Sequence, residues 1–177
     1  DPVPMRTYEQ LLAAAARDTK PAFVLSLGDQ VDDGGEWSLF EEFANAKSFN
    51  RIPLAAVVGN HEHGDDTFSR FFFLPNMTDG AAGGTGDMGA DYWFSRGSAL
   101  FLVLNTNDGG TESHAAFMRE AVDAFTRDNG NPAWIIAAFH HSLYSVGGHV
   151  DSKETASLRE ELAPYLEELG VNVVLSG

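Results

Sequence analysis

Four short apolar runs in the sequence each end directly in a turn that carries polar or glycine residues. The runs have the length and composition of buried strands, and in open α/β sheets ligands collect outside the carboxyl ends of such strands. We therefore expect the four turns to meet at one edge of the fold, although they are far apart in the sequence. The runs and the turns that follow them are 22–27 with Gly28-Asp29, 54–58 with Gly59-Asn60-His61-Glu62, 133–139 with His140-His141, and 171–175, which leads to Gly177.

Helical stretches separate these strands, and this alternation predicts an α/β fold class with helices outside packed sheets. Ser157 and Glu160 have the spacing of a capping box at the start of the last helix. The glycine-rich segment 78–90 predicts a surface loop, and no repeat or long linker divides the single domain expected over 1–177. The remaining predicted elements are helices at 7–17, 37–47, 112–127 and 157–170, and a hairpin of strands 91–96 and 99–105.

The charge of the sequence limits the partners that the protein can bind. Eleven basic and 26 acidic residues give a formal net charge of −15 without an offsetting basic stripe, so we expect no nucleic-acid partner. The same charge repels a phosphorylated substrate, so an enzyme acting on phosphates would need positive charge from metal ions. The chain contains no cysteine, which excludes thiolate ligands and cysteine nucleophiles. No apolar run approaches the roughly 20 residues of a membrane span.

Several polar turns match the sequence blocks of a known enzyme family, in the same order along the chain. The matching blocks are 27–34, 59–62, 139–145 and 171–177. Together they resemble the calcineurin-like metallophosphoesterases. Residues 92–95 and 101–107 are similar to the central hairpin of the purple acid phosphatase branch. The resemblance implies a two-sheet α/β/β/α sandwich of the metallo-dependent phosphatase type.

The resemblance also implies a site for two divalent or trivalent metal ions, which would be Zn, Mn or Fe. Asp29 would bridge the two ions, while Asn60 and His140 would bind one of them. His61 would lie beside a small-molecule phosphoester, as general acid for the leaving alcohol or as a stabiliser of developing charge, and Asn60 would contact the same substrate. His149 would either line this pocket or lie in a solvated loop. Two such ions lower the pKa of a bound water and hold the phosphoryl oxygens during in-line attack.

Two features depart from the family pattern. Purple acid phosphatases carry a tyrosine three residues after the bridging aspartate, where this sequence has Asp32. The family's opening Asp-x-His or Asp-x-Gln block and its closing Gly-His-x-His block are absent from the 177 residues. We therefore expect the domain to be incomplete at both ends, and the 177 residues alone to be almost inactive.

Other polar side chains are expected to have supporting roles. Glu62 is expected to hydrogen bond behind the site and not to bind metal. His141 is expected to pack or to point to solvent, and His63 to lie in an exposed acidic loop. His114, near the start of a helix, is expected on the surface.

These expectations favour one function and leave others open. The hairpin favours phosphomonoester hydrolysis by a protein exported from a bacterial cell. A phosphodiesterase or nucleotide hydrolase of the same superfamily is the nearest alternative. A non-catalytic binding module that has lost its metals is the alternative from another class, although a site released from its function has no reason to keep Asp29, Asn60, His61 and His140. The natural substrate and the oligomeric state stay open.

Overall fold

A computed structural model of the protein describes residues 5–62, 66–77, 91–107, 110–145 and 152–177. Helices and strands alternate along these ranges, as the sequence predicted. In chain order the elements are α1 (Met5–Thr19), β1 (Val24–Ser26), α2 (Trp37–Ala44), a 3₁₀ helix (Lys47–Asn50), β2 (Leu54–Ala56), α3 (Thr67–Phe71), β3 (Tyr92–Arg96), β4 (Ala99–Val103), α4 (Thr111–Asn129), β5 (Trp134–Phe139), α5 (Lys153–Glu168) and β6 (Val173–Ser176).

The strands in the described ranges form two sheets. In the smaller sheet β1 and β2 are parallel, with Val24 opposite Leu54. The larger sheet has the order β3-β4-β5-β6. Its β3-β4 pair is the predicted antiparallel hairpin, while β4-β5 and β5-β6 are parallel. The carboxyl ends of β4, β5 and β6 therefore lie at the same edge of the larger sheet.

The smaller sheet is covered by α1, α2 and α3. Ala56 and Val58 pack with Phe40 of α2 and Phe68 of α3 in one apolar cluster. Val57, between them, belongs to a different cluster. This alternation follows because successive side chains of an extended strand point to opposite faces. One face of the smaller sheet thus packs against helices, and the other face packs against the larger sheet.

The larger sheet is covered by α4 and α5. Alternate residues of its central strand, such as Leu100 and Leu102, are fully buried against apolar side chains of both helices, including Met118 and Leu162. Full burial of each such side chain contributes roughly 1.5–3 kcal/mol. This cluster is the largest of the three described apolar clusters, and it packs the larger sheet against both helices.

A third cluster lies between the two sheets. Val57, Tyr92, Val103 and Ala138 are buried there. The Tyr92 hydroxyl donates a hydrogen bond of 2.9 Å to the carbonyl oxygen of Ala56, which ties the hairpin to the smaller sheet. Burial raises the pKa of Tyr92, so the phenol stays a neutral donor. The layer order is therefore helices, sheet, sheet, helices, which confirms the predicted α/β/β/α sandwich.

Helix α5 begins earlier than the sequence indicated. Its N-cap is Ser152, whose side chain accepts a 3.1 Å hydrogen bond from the Thr155 amide. Ser157 lies inside the helix and donates to Glu161, so the capping box proposed for Ser157 and Glu160 was wrong. Ser152 offers the same capping chemistry five residues earlier. The predicted loop at 78–90 lies outside the described residues. None of the helices in the described ranges is both long and apolar enough to cross a membrane.

Candidate active site

The turns after β1, β2 and β5 lie in contact with one another. A Cβ atom added to Gly28 would lie 2.8 Å from Cγ of His140 and 3.0 Å from Cα of Gly59, so Gly28 lets three segments of backbone approach closely. Gly177 joins them, because its amide donates a 3.0 Å hydrogen bond to the carbonyl oxygen of His140. Residues that are far apart in the sequence thus share one edge of the fold.

The side chains of Asp29, Asn60 and His140 converge at this edge. Nε2 of His140 lies 3.0 Å from Oδ1 of Asn60 and 3.3 Å from Oδ2 of Asp29. His140 is mostly buried, while the aspartate and asparagine are more exposed on the side of a cleft. The structure therefore brings together the three residues that the sequence offered as metal ligands. Their role as ligands stays a prediction.

The tautomer of His140 decides what this cluster can bind. Nδ1 lies 2.8 Å from the carbonyl oxygen of Leu27, and a carbonyl can only accept, so Nδ1 carries the hydrogen. In the neutral ring Nε2 then presents a lone pair toward two oxygen atoms. Three electron pairs that face one another fit a shared cation. Metal-binding histidines usually bind the metal through one ring nitrogen and donate the N–H group of the other to a carboxylate, a backbone carbonyl or water.

The donor set of this cluster fits a borderline metal ion. Carboxylate, amide oxygen and imidazole nitrogen suit Zn, Mn or Fe better than metals that prefer sulfur. Across the described residues, no group of three or more His, Cys, Asp or Glu side chains could hold a metal ion. In this cluster the third candidate ligand is the side-chain amide of Asn60, beside Asp29 and His140. The cluster therefore offers three ligands for one ion, and the Asp29 carboxylate could be shared with a second ion.

The backbone of Asp29 is held in the left-handed region. Its φ is 52°, next to Gly28 at 99°, and this conformation costs a non-glycine residue on the order of 1 kcal/mol. Two hydrogen bonds hold it there. The Asp29 amide donates to Glu62 at 2.9 Å, and Oδ1 of Asp29 accepts from the His61 amide at 3.2 Å. The strain turns the carboxylate toward His140.

Glu62 organises the turns from behind. Its carboxylate is fully buried and accepts hydrogen bonds from the amides of Asp29 (2.9 Å), Val31 (2.9 Å) and Gly59 (2.7 Å). Burial raises the pKa of Glu62, and the three amide donors oppose that rise. The prediction that Glu62 supports the site by hydrogen bonding is confirmed.

His61 lies on the exposed side of the cluster. Its Nδ1 donates to the backbone carbonyl of Asp32 at 3.0 Å, and the Asp32 carboxylate lies 3.8 Å away. The bond to the Asp32 carbonyl raises the pKa of His61; desolvation lowers it, and the charges of Asp29, Asp32 and Glu62 raise it further. With Nδ1 held in this way, Nε2 lies on the opposite side of a ring that lines the cleft.

The cleft has a volume of about 680 Å³ and extends beyond the predicted site residues. Thr106 and Asn107, which follow β4, form part of its wall, as do Ser152, Thr155 and Leu158 of the α5 region. Sequence reasoning missed all of these. His141 is half-buried in the wall, with Nδ1 2.9 Å from the Thr106 hydroxyl. His63 and His149 lie outside the described residues.

His114 is buried, so its assignment to the surface was wrong. Its Nδ1 lies 2.6 Å from Oδ2 of Asp91, and both side chains are almost inaccessible to solvent. The first turn of α4 faces inward over the ends of the larger sheet, and burial of an imidazole there is stabilised by the carboxylate partner. The aspartate lies 23 residues earlier, which is why a local pattern did not reveal the pair.

Two solved structures have a similar fold. One is a purple acid phosphatase from yellow lupin (Lupinus luteus) seeds, with a TM-score of 0.73 and 20% sequence identity, matched over 98% of this chain and 32% of that chain. The other is GAP50, the anchor in the inner membrane complex of Plasmodium, with a TM-score of 0.62 and 16% identity, matched over 100% of this chain and 62% of that chain. The present chain therefore spans about a third of one protein and under two thirds of the other.

Sequence comparison identifies the family to which the fold and the cleft residues point. No curated protein matches the chain. A family model described as calcineurin-like phosphoesterase matches residues 3–177, which is nearly the whole sequence. The chain belongs to the calcineurin-like phosphoesterase family.

Proposed function

We propose that the protein hydrolyses small-molecule phosphate esters with the help of bound metal ions, and that its substrates are phosphomonoesters. One observation carries this proposal: Nε2 of His140 faces Oδ1 of Asn60 and Oδ2 of Asp29, at 3.0 and 3.3 Å, with Nδ1 already committed to the Leu27 carbonyl. Family membership supports it, because these enzymes depend on divalent or trivalent metals.

Asp29, Asn60 and His140 would hold the first metal ion. Asp29 would also be the ligand shared with a second ion, whose further ligands are not supplied by the described residues. Bound metals of this kind polarise a phosphoryl oxygen and lower the pKa of water. They would also supply the positive charge that a chain with a net charge of −15 otherwise lacks at a phosphate site.

His61 would act on the leaving group. Its Nδ1 is held by the Asp32 carbonyl, so the ring presents Nε2 to the cleft beside Asn60. From there Nε2–H can donate to the ester oxygen and give up its proton as the bond to phosphorus breaks. General acid catalysis of this kind contributes about 10²–10⁴-fold to a rate.

The rest of the cleft would receive the organic part of the substrate. Its wall carries hydroxyl and amide groups, from Thr106, Asn107, Ser142, Ser145 and Thr155, set among apolar surface that includes Leu158. Such a wall suits an alcohol that itself forms hydrogen bonds. The preference for monoesters rests on the resemblance of the β3-β4 hairpin to the purple acid phosphatases.

The adjacent histidines offer a matched test of the metal site. Loss of a residue that hydrogen bonds to a metal ligand lowers metal affinity by about 10–100-fold. His140→Ala removes a predicted ligand itself, so it should weaken Mn²⁺ or Zn²⁺ binding by at least that factor. His141→Ala, a change of the same size one residue away, removes a contact with Thr106 and not a predicted ligand, so it should weaken metal binding much less than His140→Ala does. Isothermal titration calorimetry measures both. Equal affinities for the two variants would refute the assignment of His140.

A substrate comparison tests the second part of the proposal. An aryl phosphate and the corresponding diaryl phosphate carry the same leaving group, so their rates with the metal-loaded full-length enzyme compare monoester with diester hydrolysis directly. We expect the monoester to be the better substrate. Faster hydrolysis of the diester would instead support the phosphodiesterase alternative.

A non-catalytic role is the second candidate. It is favoured by the likeness to GAP50, whose description is that of an anchor, and by the small number of charged ligands in the described residues. A protein of this kind would keep the fold without binding metal. Absence of Mn²⁺ and Zn²⁺ binding by the wild-type protein, with a normal folded state, would favour this role over hydrolysis.

A further inference from the structure

A chain of hydrogen bonds runs from the buried side of α4 to the turn that carries Asn60. Nδ1 of His114 pairs with Oδ2 of Asp91 at 2.6 Å, and Oδ1 of Asp91 accepts from the Asn105 amide at 2.9 Å. Oδ1 of Asn105 accepts from the backbone amide and the side-chain amide of Asn107, at 3.1 and 2.9 Å. We call Asp91, Asn105, Asn107 and His114 the asparagine brace.

The far end of the brace contacts the backbone of the candidate site. Nδ2 of Asn107 donates to the carbonyl oxygen of Gly59 at 3.2 Å, and Gly59 directly precedes Asn60. This is a contact between the segment after β4 and the segment after β2, which belong to different sheets. The brace therefore fixes the Asn60 turn relative to the larger sheet.

The same segment also contacts the turn that carries His140. Thr106, between the two asparagines, has its hydroxyl 2.9 Å from Nδ1 of His141, and the His141 amide donates to that hydroxyl at 3.4 Å. Residues 105–107 thus touch both turns whose side chains meet at the candidate metal position. One rigid segment can therefore set the distance between Asn60 and His140.

We propose that the asparagine brace holds the Asn60 and His140 turns in register, and that Asn107 and His114 are positioning residues of the metal site. The link to metal rests on the function proposed above, whereas the holding of the turns does not. Asp91, Asn105 and His114 are buried, so their polar groups have a strong preference for the observed partners over water. His114 does not line the described part of the cleft, and its bond to Asp91 connects it to the brace.

Two variants and two matched controls test the brace. Asn107→Ala removes the bond to Gly59, and Asn129→Ala removes a similar asparagine-to-carbonyl bond, to Phe125 at the end of α4. His114→Leu removes the donor to Asp91, and Met118→Ala perturbs the same helix one turn later without touching the brace. His114→Asn places an amide N–H near the position of Nδ1 and should restore the behaviour of the wild type.

The first measurement needs no metal. Amide hydrogen exchange is followed by NMR at Gly59 and His61, which belong to the Asn60 turn, and at Ile135, which bonds to Asn172 far from the brace. Asn107→Ala should speed exchange at Gly59 and His61 by about three- to tenfold, the equivalent of one net hydrogen bond, and leave Ile135 unchanged. His114→Leu should also speed exchange at Gly59 and His61 and leave Ile135 unchanged, although His114 is at the opposite end of the brace from Gly59.

The second measurement is Mn²⁺ affinity by calorimetry. Asn107→Ala and His114→Leu should bind Mn²⁺ about 10–100-fold more weakly, because the loss of residues that orient metal ligands lowers metal affinity by about this factor. Asn129→Ala and Met118→Ala should keep the wild-type affinity even where they lower the melting temperature.

The outcomes separate the brace from the proposed function. Unchanged exchange at Gly59 and His61 in Asn107→Ala, or equal acceleration at Ile135, would overturn the brace. If His140→Ala loses metal while Asn107→Ala keeps both metal and protection, the brace fails and the proposed function stands. If the wild type binds no Mn²⁺, the proposed function fails, and the exchange rates still decide whether the brace exists. Should His114→Leu not fold, Asn107→Ala decides, because its side chain is only half-buried.

Discussion

Glu62 is the residue whose loss should disturb the candidate site most. Its fully buried carboxylate accepts three backbone N–H groups, from Asp29, Val31 and Gly59. These donors belong to the two turns that carry Asp29 and Asn60. We predict that Glu62→Ala costs more stability than any surface change and also lowers metal affinity.

The magnitude follows from the number of donors left without an acceptor. Each buried N–H that loses its partner costs about 1–3 kcal/mol, so three of them cost about 3–9 kcal/mol if no water enters. A domain has a total free energy of unfolding of roughly 5–15 kcal/mol, so Glu62→Ala is expected to be near the limit of stable folding. In Glu62→Gln the remaining side-chain oxygen can still accept from the Asp29 and Gly59 amides. Only the Val31 amide then loses its acceptor. The cost of that variant should be about 1–3 kcal/mol.

Urea unfolding of metal-free protein measures these differences directly. Glu161→Ala is the matched control, because Glu161 also accepts two hydrogen bonds, from Thr111 and Ser157, but on the exposed surface of α5. The expected order of destabilisation is Glu62→Ala, then Glu62→Gln, then the control. Free energies of unfolding within about 1 kcal/mol of the wild type for both Glu62 variants would show that the donors find other acceptors at little cost, and the reasoning would be refuted.

Three further predictions concern the metal ligands and their neighbours. In the full-length enzyme, Asn60→Ala should weaken metal binding and recover part of its activity with added metal, whereas His61→Ala should keep its metals and lose about 10²–10⁴-fold in turnover. Metal analysis with initial rates distinguishes the two variants, and equal metal loss in both would contradict the assignment. The iron-loaded protein should show no strong visible absorption band, because Asp32 takes the place of the tyrosine that colours purple acid phosphatases and no tyrosine lines the described cleft; a strong band would mean that another tyrosine binds the iron. Gly28→Ala should lower both the melting temperature and metal affinity because its Cβ would overlap the His140 ring, while Gly97→Ala, with a similar positive φ and no atom within 4 Å, should affect stability alone; equal effects on metal affinity would refute the steric argument.

The architecture was predictable because strands and helices space their apolar residues differently along the sequence. The hairpin, β5 and α4 were placed within a few residues, since apolar strands and an amphipathic helix differ in repeat length. The strands of the smaller sheet proved shorter than expected, with only Val24–Ser26 and Leu54–Ala56 paired. Apolar residues continue past these limits because they pack between layers, and a pattern of hydrophobicity cannot separate packing from strand pairing.

Long-range partners explain the errors. His114 looks like a surface residue when only its helix is considered, whereas in the structure it is paired with the buried Asp91, the residue that precedes β3. The start of α5 was misplaced because both Ser152 and Ser157 can cap a helix by local rules. In the structure the Ser152 side chain accepts from the amide of the buried Thr155, whereas Ser157 bonds to Glu161 inside the helix.

The candidate site itself was found because its residues follow strands directly, and the same rule reaches further than its first use. It was applied to the strands ending at residues 27, 58, 139 and 175, and not to β4, which was considered only as half of a hairpin. Yet β4 is antiparallel to β3 and parallel to β5, so its carboxyl end lies at the edge that carries His140. Asn105, Thr106 and Asn107 follow that end and contact both ligand-bearing turns. A strand's direction relative to all of its neighbours, and not only its hairpin partner, therefore decides whether the residues after it belong to the site.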